Sequence, residues 1–214
     1  MKASRGFTLI EMLVVLGIIA VLSAVTVGGF TYITRRAEQA KGRELVSNAA
    51  TALGALLQAQ HRWPPSLLEE SKGEGRLTAR AAACLAVHKL MSLSYTSVDD
   101  DGETVYTLSG LDRCGIVSPW ATAVLKKLGP TESGLNRKVP SGGTVRDHLL
   151  HFALDDDGDG ITEVKLKSKT VRVRGSCAVW SWGRNGAEDD YAASMDGRGD
   201  ADDIFSWTRN QEVR

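Results

Sequence analysis

The sequence predicts an α+β protein in which a long N-terminal α-helix packs on a small antiparallel sheet head that carries a C-terminal acidic loop of calcium-binding type. Three observations carry this prediction. An apolar stretch near the N-terminus runs without a break into an amphipathic one, the later chain alternates like strands, and acids crowd its end. The predicted parts are an apolar helix half at 7–34, an amphipathic half at 35–62 and a globular head at 63–214.

The predicted helix runs from about Thr8 to His61. From Met12 to Thr34 no residue carries a charge, and this stretch is long enough to cross a bilayer as a helix. Trp63-Pro64-Pro65 ends the helix because proline lacks the N–H donor and disfavours helix in the residue before it. In the second half, apolar residues recur every three or four positions, at Leu45, Ala49, Ala52, Leu53, Leu56 and Leu57.

The head is predicted to combine one helix with short strands. Good helix formers from Leu77 to Leu93 predict the helix. The segments His151–Leu154 and Ile161–Leu166 flank an Asp/Gly turn and are interpreted as a hairpin. Further strands are predicted at Thr104–Leu108, Thr170–Val173 and Ala178–Trp182.

Composition and motifs exclude several functions. The 26 Lys and Arg balance the 26 Asp and Glu, and no basic stripe indicates a nucleic-acid partner. No nucleophile elbow, P-loop or dinucleotide fingerprint is present, and His148 and His151 are expected to be core or solvated side chains, so no enzyme is predicted. Cys114 and Cys177 could form one bridge in an exported head, with Cys84 left over. Unpaired buried thiols are the alternative.

The extreme N-terminus admits three interpretations. A signal peptide accounts for the basic Lys2 and Arg5 but not for the length of the apolar stretch. A plain membrane anchor accounts for the length but not for Glu11, whose carboxylate would be costly in hydrocarbon. The third interpretation rests on a resemblance: Arg5-Gly6-Phe7-Thr8-Leu9-Ile10-Glu11 closely resembles the prepilin peptidase site of type IV pilins and type II secretion pseudopilins.

That resemblance implies how the N-terminus is processed and used. Residues 1–6 would be a leader, cleaved after Gly6 by prepilin peptidase, and Phe7 would become an N-methylated N-terminus. In a filament of identical helices, Glu11 could neutralise the terminal amine of a neighbouring copy. The pair would also set axial register, because a misplaced helix leaves a lone charge in an apolar bundle.

Two acidic segments are candidate calcium loops. In the first, Asp155, Asp157 and Asp159 stand at positions one, three and five of a loop that resembles an EF-hand, but position twelve is Leu166 rather than an acid. A solvated hairpin tip is the alternative. The second segment spans 188–203 with a single base, Arg198, and its hard oxygen ligands suit calcium. Its acids are Glu188, Asp189, Asp190, Asp196, Asp200, Asp202 and Asp203.

The C-terminus adds a narrower resemblance. Ser181 to Gly186, followed by Asp202-Asp203-Ile204-Phe205-Ser206-Trp207, resembles the end of the major pseudopilins of type II secretion. This resemblance implies a structural calcium ion on Asp202 and Asp203. Asn185 departs from the family pattern, which has Asp there, and Ser118-Pro119-Trp120 resembles the family's Asp-Pro-Trp-Gly strand start. The further ligand candidates are Asp200 and Asp196, then Asp189 and Asp190.

These resemblances imply a structural subunit of a type II secretion filament. It would sit in the bacterial inner membrane with its N-terminus cytoplasmic and its head periplasmic, and then enter a periplasmic filament. The implied partners are copies of itself, other pseudopilins, the prepilin peptidase and N-methyltransferase, the inner-membrane assembly platform and the secreted proteins. A type IV pilus subunit for adhesion, motility or DNA uptake is one alternative. A membrane-anchored calcium-dependent binding module is another, although it leaves Gly6, Phe7 and Glu11 without a role.

Overall fold

The computed structural model describes residues 9–72, 75–76, 97–98, 104–105, 118–125, 135–196 and 201–213. The chain divides into two compact units, residues 1–38 and 39–214. The processing residues Gly6 and Phe7, the helix predicted at 77–93, and Cys84 and Cys114 lie outside the described residues.

The long N-terminal helix is confirmed as α1 (Leu9–Gln60). It ends at His61, whose φ of 58° places the backbone in the left-handed region, and the His61 N–H donates to Leu57 O at 2.7 Å. A second helix, α2 (Pro65–Lys72), starts at once. Proline suits its first position because the N–H there has no partner within the helix.

The first unit contains residues 9–38 of α1. The large apolar side chains described in residues 9–23 and at Ile33 are exposed, among them Leu9 at 83%, Ile10 at 70% and Leu13 at 64%. So many exposed apolar groups on one element are typical of an interaction surface. Among the described residues, no helix has the length and apolar content needed to cross a membrane.

The second unit has its core against the other half of α1. The face predicted from the three- and four-residue spacing is buried: Ala49, Leu53 and Leu56 are fully covered, while Leu45 and Leu57 lie at its margin. Side chains from α2, from the short helix after Ser118 and from residues 150–152 belong to the same core: Leu67, Trp120, Leu150 and Phe152.

Short antiparallel strands form three sheets among the described residues. One pairs β1 (Ser97–Val98) with β2 (Thr104–Val105). The other strands, in chain order, are β3 (His151–Leu154), β4 (Ile161–Lys165), β5 (Thr170–Arg174), β6 (Cys177–Ser181) and β7 (Ile204–Phe205). They form a sheet of order β3-β6-β7 and a separate β4-β5 pair. A helix α3 (Pro119–Leu125) precedes them, and α4 (Tyr191–Asp196) lies between β6 and β7.

The predicted hairpin of β3 with β4 is wrong. β3 pairs with β6, and β4 pairs with β5 through a tighter turn closed by the Leu166 N–H and Lys169 O at 2.9 Å. β5 alternates exposed and buried residues, as β4 does, so the two strands match as a pair with one covered face. β3 is buried at all four positions and therefore belongs in the core.

Ser118-Pro119-Trp120 does not start a strand. Pro119 is the first residue of α3, where its fixed φ suits a helix. Trp120 is 8% exposed and packs in the main core. Cys177 is a free thiol in the described part of the chain, with its Sγ 3.6 Å from Ala50 O. Burial raises the pKa of that thiol to about 11.

His148 and His151 are core residues, which is one of the two alternatives predicted from the sequence. His148 lies 3.0 Å through Nε2 from Gly142 O and 3.0 Å through Nδ1 from Ser118 Oγ. A carbonyl only accepts, so Nε2 carries the proton and the serine hydroxyl donates to Nδ1. His151 is 5% exposed and stacks on Trp180 with ring centroids 5.4 Å apart.

Burial, and to a smaller extent the Arg76 charge, lower the pKa of His151 to about 3 against the opposing effect of Asp147. The folded state therefore keeps this ring neutral at a pH where the unfolded chain protonates it. A group of this kind stabilises the fold above its unfolded pKa near 6.5, and that stability is lost as the pH falls from there toward 3.

We expect this histidine to make the fold acid-sensitive. Below pH 6.5 its contribution to the unfolding free energy should fall by about 1.4 kcal/mol for each pH unit. His151→Phe keeps an aromatic ring against Trp180 but cannot titrate, so its stability should fall less steeply between pH 6.5 and 5. Urea unfolding of the two full-length proteins in detergent micelles with chelator measures both slopes. Equal slopes would contradict the assignment.

Candidate metal centre

Three carboxylates from the second acidic segment meet at one place. Asp189, Asp202 and Asp203 each offer an oxygen, and these oxygens lie within 4.8 Å of one another. The pairing of β6 with β7 causes this convergence, because Ser181 pairs with Ile204 and Trp180 with Phe205. Residues on both sides of the acidic segment are thereby held side by side.

A glycine allows the turn after β6 to close over Asp202. Gly183 has φ +59°, and a Cβ there would collide with the Asp202 side chain and carbonyl. The next residue, Arg184, donates its backbone N–H to Asp202 Oδ2 at 2.8 Å. The Gly183 position therefore fixes the Asp202 carboxylate against the turn.

Backbone donors hold the three carboxylates in a ring. The Asp189 N–H donates to Asp203 Oδ2 at 2.9 Å, and the Asp202 N–H donates to Asp189 Oδ2 at 3.0 Å. The Asn185 side-chain amide donates to Asp189 Oδ1 at 3.0 Å. Oδ1 of Asp202 and Oδ1 of Asp203 are buried and have no hydrogen-bond partner within the described residues. Such orphaned buried oxygens require an explanation.

The raised pKa values in the ring also indicate that its carboxylates need a bound proton or cation. Asp203 is 6% exposed, and burial raises the pKa of its carboxyl to about 8, helped by the charges of Asp189, Asp202 and Glu188. Burial also raises the pKa of Asp202, while the N–H of Arg184 opposes the shift. Negative charges in this arrangement are stable only with a bound proton or a bound cation.

The donor set fits a hard cation. The ring offers carboxylate oxygens, which are the ligands that Ca²⁺ and Mg²⁺ prefer in proteins. Ca²⁺ tolerates irregular geometry and takes six to eight oxygens, so backbone carbonyls and water would complete its shell. Cation binding would displace the proton that the Asp203 carboxyl retains because of its raised pKa.

The other acids of this segment serve different roles. Asp190 Oδ1 accepts the Ala193 N–H at 2.8 Å, near the start of α4. Asp196 forms an ion pair with Arg209 at 2.9 Å. Both Glu188 oxygens accept the Lys167 N–H at 2.9 Å. Asp200 lies outside the described residues.

Asp189, a weaker candidate in the sequence, thus takes a central place in the ring. Nothing in the local sequence separates it from Asp190, because the two acids are adjacent and similarly flanked. The distinction comes from Asn185, whose amide reaches Asp189 from four residues away. The position that departed from the pseudopilin pattern therefore orients one of the carboxylates.

The first acidic loop forms a second group, of different character. Oxygens of Asp155, Asp157 and Asp159 also lie within 4.8 Å of one another. Asp155 uses both oxygens inside its own loop, accepting the N–H of Gly158 at 2.8 Å and of Gly160 at 2.9 Å. Asp157 and Asp159 are exposed and each accept an N–H two residues on. This loop has the geometry of a self-capped turn.

Aromatic side chains next to the acidic segment form a buried cluster that serves as its floor. Trp180 and Trp207 are buried and meet edge to face, with centroids 6.1 Å apart. Trp207 Nε1 donates to the Tyr191 hydroxyl at 2.9 Å, and that hydroxyl donates to Glu212 Oε1 at 2.7 Å. This floor fixes α4 and β7 relative to β6.

Comparison with known proteins concerns the other end of the chain. Residues 1–27 match the family model of the prokaryotic N-terminal methylation motif. The match supports a place in the type IV pilin-like superfamily, whose members are structural proteins. Gly6, Phe7 and Glu11 lie inside the matched segment. Neither the curated proteins nor the solved structures contain a match to the chain.

Proposed function

We propose that this chain is a pseudopilin subunit of a type II secretion filament. The observation that carries the proposal is the methylation motif over residues 1–27, which contains Gly6, Phe7 and Glu11. Prepilin peptidase cleaves after Gly6, and Phe7 becomes the methylated N-terminus. Before assembly, the subunit is anchored in the inner membrane with its head in the periplasm. The assembly platform then extracts it into the filament beside other pseudopilins.

The exposed apolar side chains of α1 support assembly through this helix. From Leu9 to Leu22 large apolar residues are exposed around the helix, and packing against copies of the same helix would cover them. Cleavage leaves a cationic amine at Phe7, four residues before Glu11. In an apolar bundle an unpaired carboxylate is costly, so each Glu11 stabilises a stagger that brings it to the amine of a neighbour.

The head holds a structural calcium ion on Asp189, Asp202 and Asp203. Support comes from their convergence within 4.8 Å, from the orphaned oxygens and from the raised pKa of Asp203. When bound, calcium supplies the positive charge that the ring lacks. Together with the resemblance of the C-terminal residues to major pseudopilins, this site favours secretion over a type IV pilus, which would share the same N-terminal motif.

Processing can be tested on the mature protein. Expressed with a prepilin peptidase, the chain should begin at Phe7 and carry one N-methyl group, which intact-mass and N-terminal peptide mass spectrometry will show. Gly6→Leu should abolish cleavage, because a bulky side chain blocks the approach of the peptidase to the scissile bond. An intact leader, or cleavage within the apolar stretch as in a signal peptide, would contradict the pilin-like assignment.

The register role of Glu11 can be tested by charge reversal. Glu11→Lys should abolish filaments, because it places two cations where a neutral pair is needed, while the head stays folded. Glu44→Lys is the matched control, since Glu44 is exposed on the same helix, and it should assemble normally. Electron microscopy of filaments from cells with a complete assembly system gives the readout. Normal filaments from Glu11→Lys would refute the register role.

Calcium binding can be tested by melting the full-length protein in detergent micelles. Calcium a hundredfold above its Kd should raise the melting temperature by about 5–10 °C over chelator. Asp203→Asn should lose this rise yet melt no lower than the parent in chelator, because the neutral amide matches the protonated carboxyl that the raised pKa of Asp203 favours there. Asp157→Asn, in the first acidic loop, should keep the response. Equal melting of the parent protein with calcium and with chelator would eliminate the site.

A further inference from the structure

Gly42 forms a notch in the buried face of α1. A Cβ on Gly42 would lie 2.6 Å from Ile204 Cδ1 and 3.4 Å from Trp120 Cη2, so any larger residue would displace the end of the Ile204 side chain. Gly54, farther along the same helix, has nothing within 4 Å of such an atom. A methyl group at Gly42 would therefore push against Ile204, whereas one at Gly54 would meet nothing.

The residue that fills the notch is bonded to the carboxylate ring. Ile204 is 7% exposed and follows Asp203 directly in the chain. β7 gives the link its stiffness: Ile204 pairs with Ser181, and the Ser206 N–H donates to Val179 O at 2.9 Å. A displacement of Asp203 is therefore transmitted to Ile204 rather than absorbed by a loop.

Charge in the ring acts on this link. Bringing the buried acids Asp189, Asp202 and Asp203 together without a cation is unfavourable. A shift of the segment before β7 away from Asp189 would relieve that cost and would withdraw Ile204 from the notch. A cation removes this cost and holds the segment in place. In the structure the carboxylate ring is closed and the notch is filled: the three oxygens lie within 4.8 Å of one another, and Ile204 Cδ1 lies against Gly42.

We propose that the carboxylate ring and the amphipathic half of α1 are energetically coupled through Ile204 in the Gly42 notch. Cation binding fastens this helix face to β7, and a well-formed notch in turn raises the affinity of the ring for the cation. The two effects are equal in size, as linkage requires. The inference rests on the proposed calcium site. It means that cation binding at this site controls how stably the amphipathic half of α1 packs against β7.

Gly42→Ala tests the coupling, because the added methyl group meets Ile204 Cδ1 and lies far along the chain from every ring carboxylate. In full-length protein in detergent micelles, calorimetric titration with calcium should show affinity at least about fivefold weaker than in the parent. Gly54→Ala adds the same methyl group in open space and should bind as the parent does. The melting temperature lost through Gly42→Ala should also be larger in calcium than in chelator.

Ile204→Val provides a second test in case Gly42→Ala does not fold. It removes Cδ1, the atom in the notch, without adding one, and it should weaken calcium binding about twofold. If Gly42→Ala folds, parent-like calcium affinity in both variants would overturn the coupling and leave the calcium site intact. If Gly42→Ala does not fold, parent-like calcium affinity in Ile204→Val alone would overturn the coupling. A parent protein that binds no calcium would instead remove the proposed site itself. An equal loss of melting temperature in calcium and in chelator would reduce Gly42 to a packing residue.

Discussion

The pairing of β6 with β7 is the constraint on which the rest of the head depends. Two residue pairs, Ser181 with Ile204 and Trp180 with Phe205, form the whole ladder. It joins the two sides of a long acidic segment, places Trp207 against Trp180 and brings Ile204 to α1. A ladder this short is weak alone. Its position depends on the buried aromatic floor and on how the negative charges of the converging carboxylates are neutralised.

Those charges oppose the pairing that brings them together. Each carboxylate that β7 brings toward β6 loses water and gains like-charged neighbours, which is why the pKa of Asp203 rises to about 8. The backbone N–H donors of Asp189 and Asp202 offset part of this cost, but one oxygen on each of Asp202 and Asp203 stays unsatisfied. A proton can satisfy one such oxygen, whereas a divalent cation can satisfy several at once.

Local patterns made much of this fold predictable. The buried face of α1 follows from residue spacing within a single helix, and β4 and β5 follow from simple alternation. Pairing was not predictable in the same way, since β3 meets β6 through contacts distant in sequence. The site shows the same limit: the acids near the C-terminus predicted a cluster, but only the folded turn distinguishes Asp189, oriented by Asn185, from Asp190 beside it.

One small residue on α1 connects these observations. Gly42 is buried and has no side chain, so Ile204 and Trp120 approach the helix backbone closely there. Larger residues at Leu53 and Leu56 fill the wider space farther along. Because Ile204 fills the notch at Gly42 and directly follows Asp203, the helix face and the acidic ring act as one structural element despite their distance in sequence.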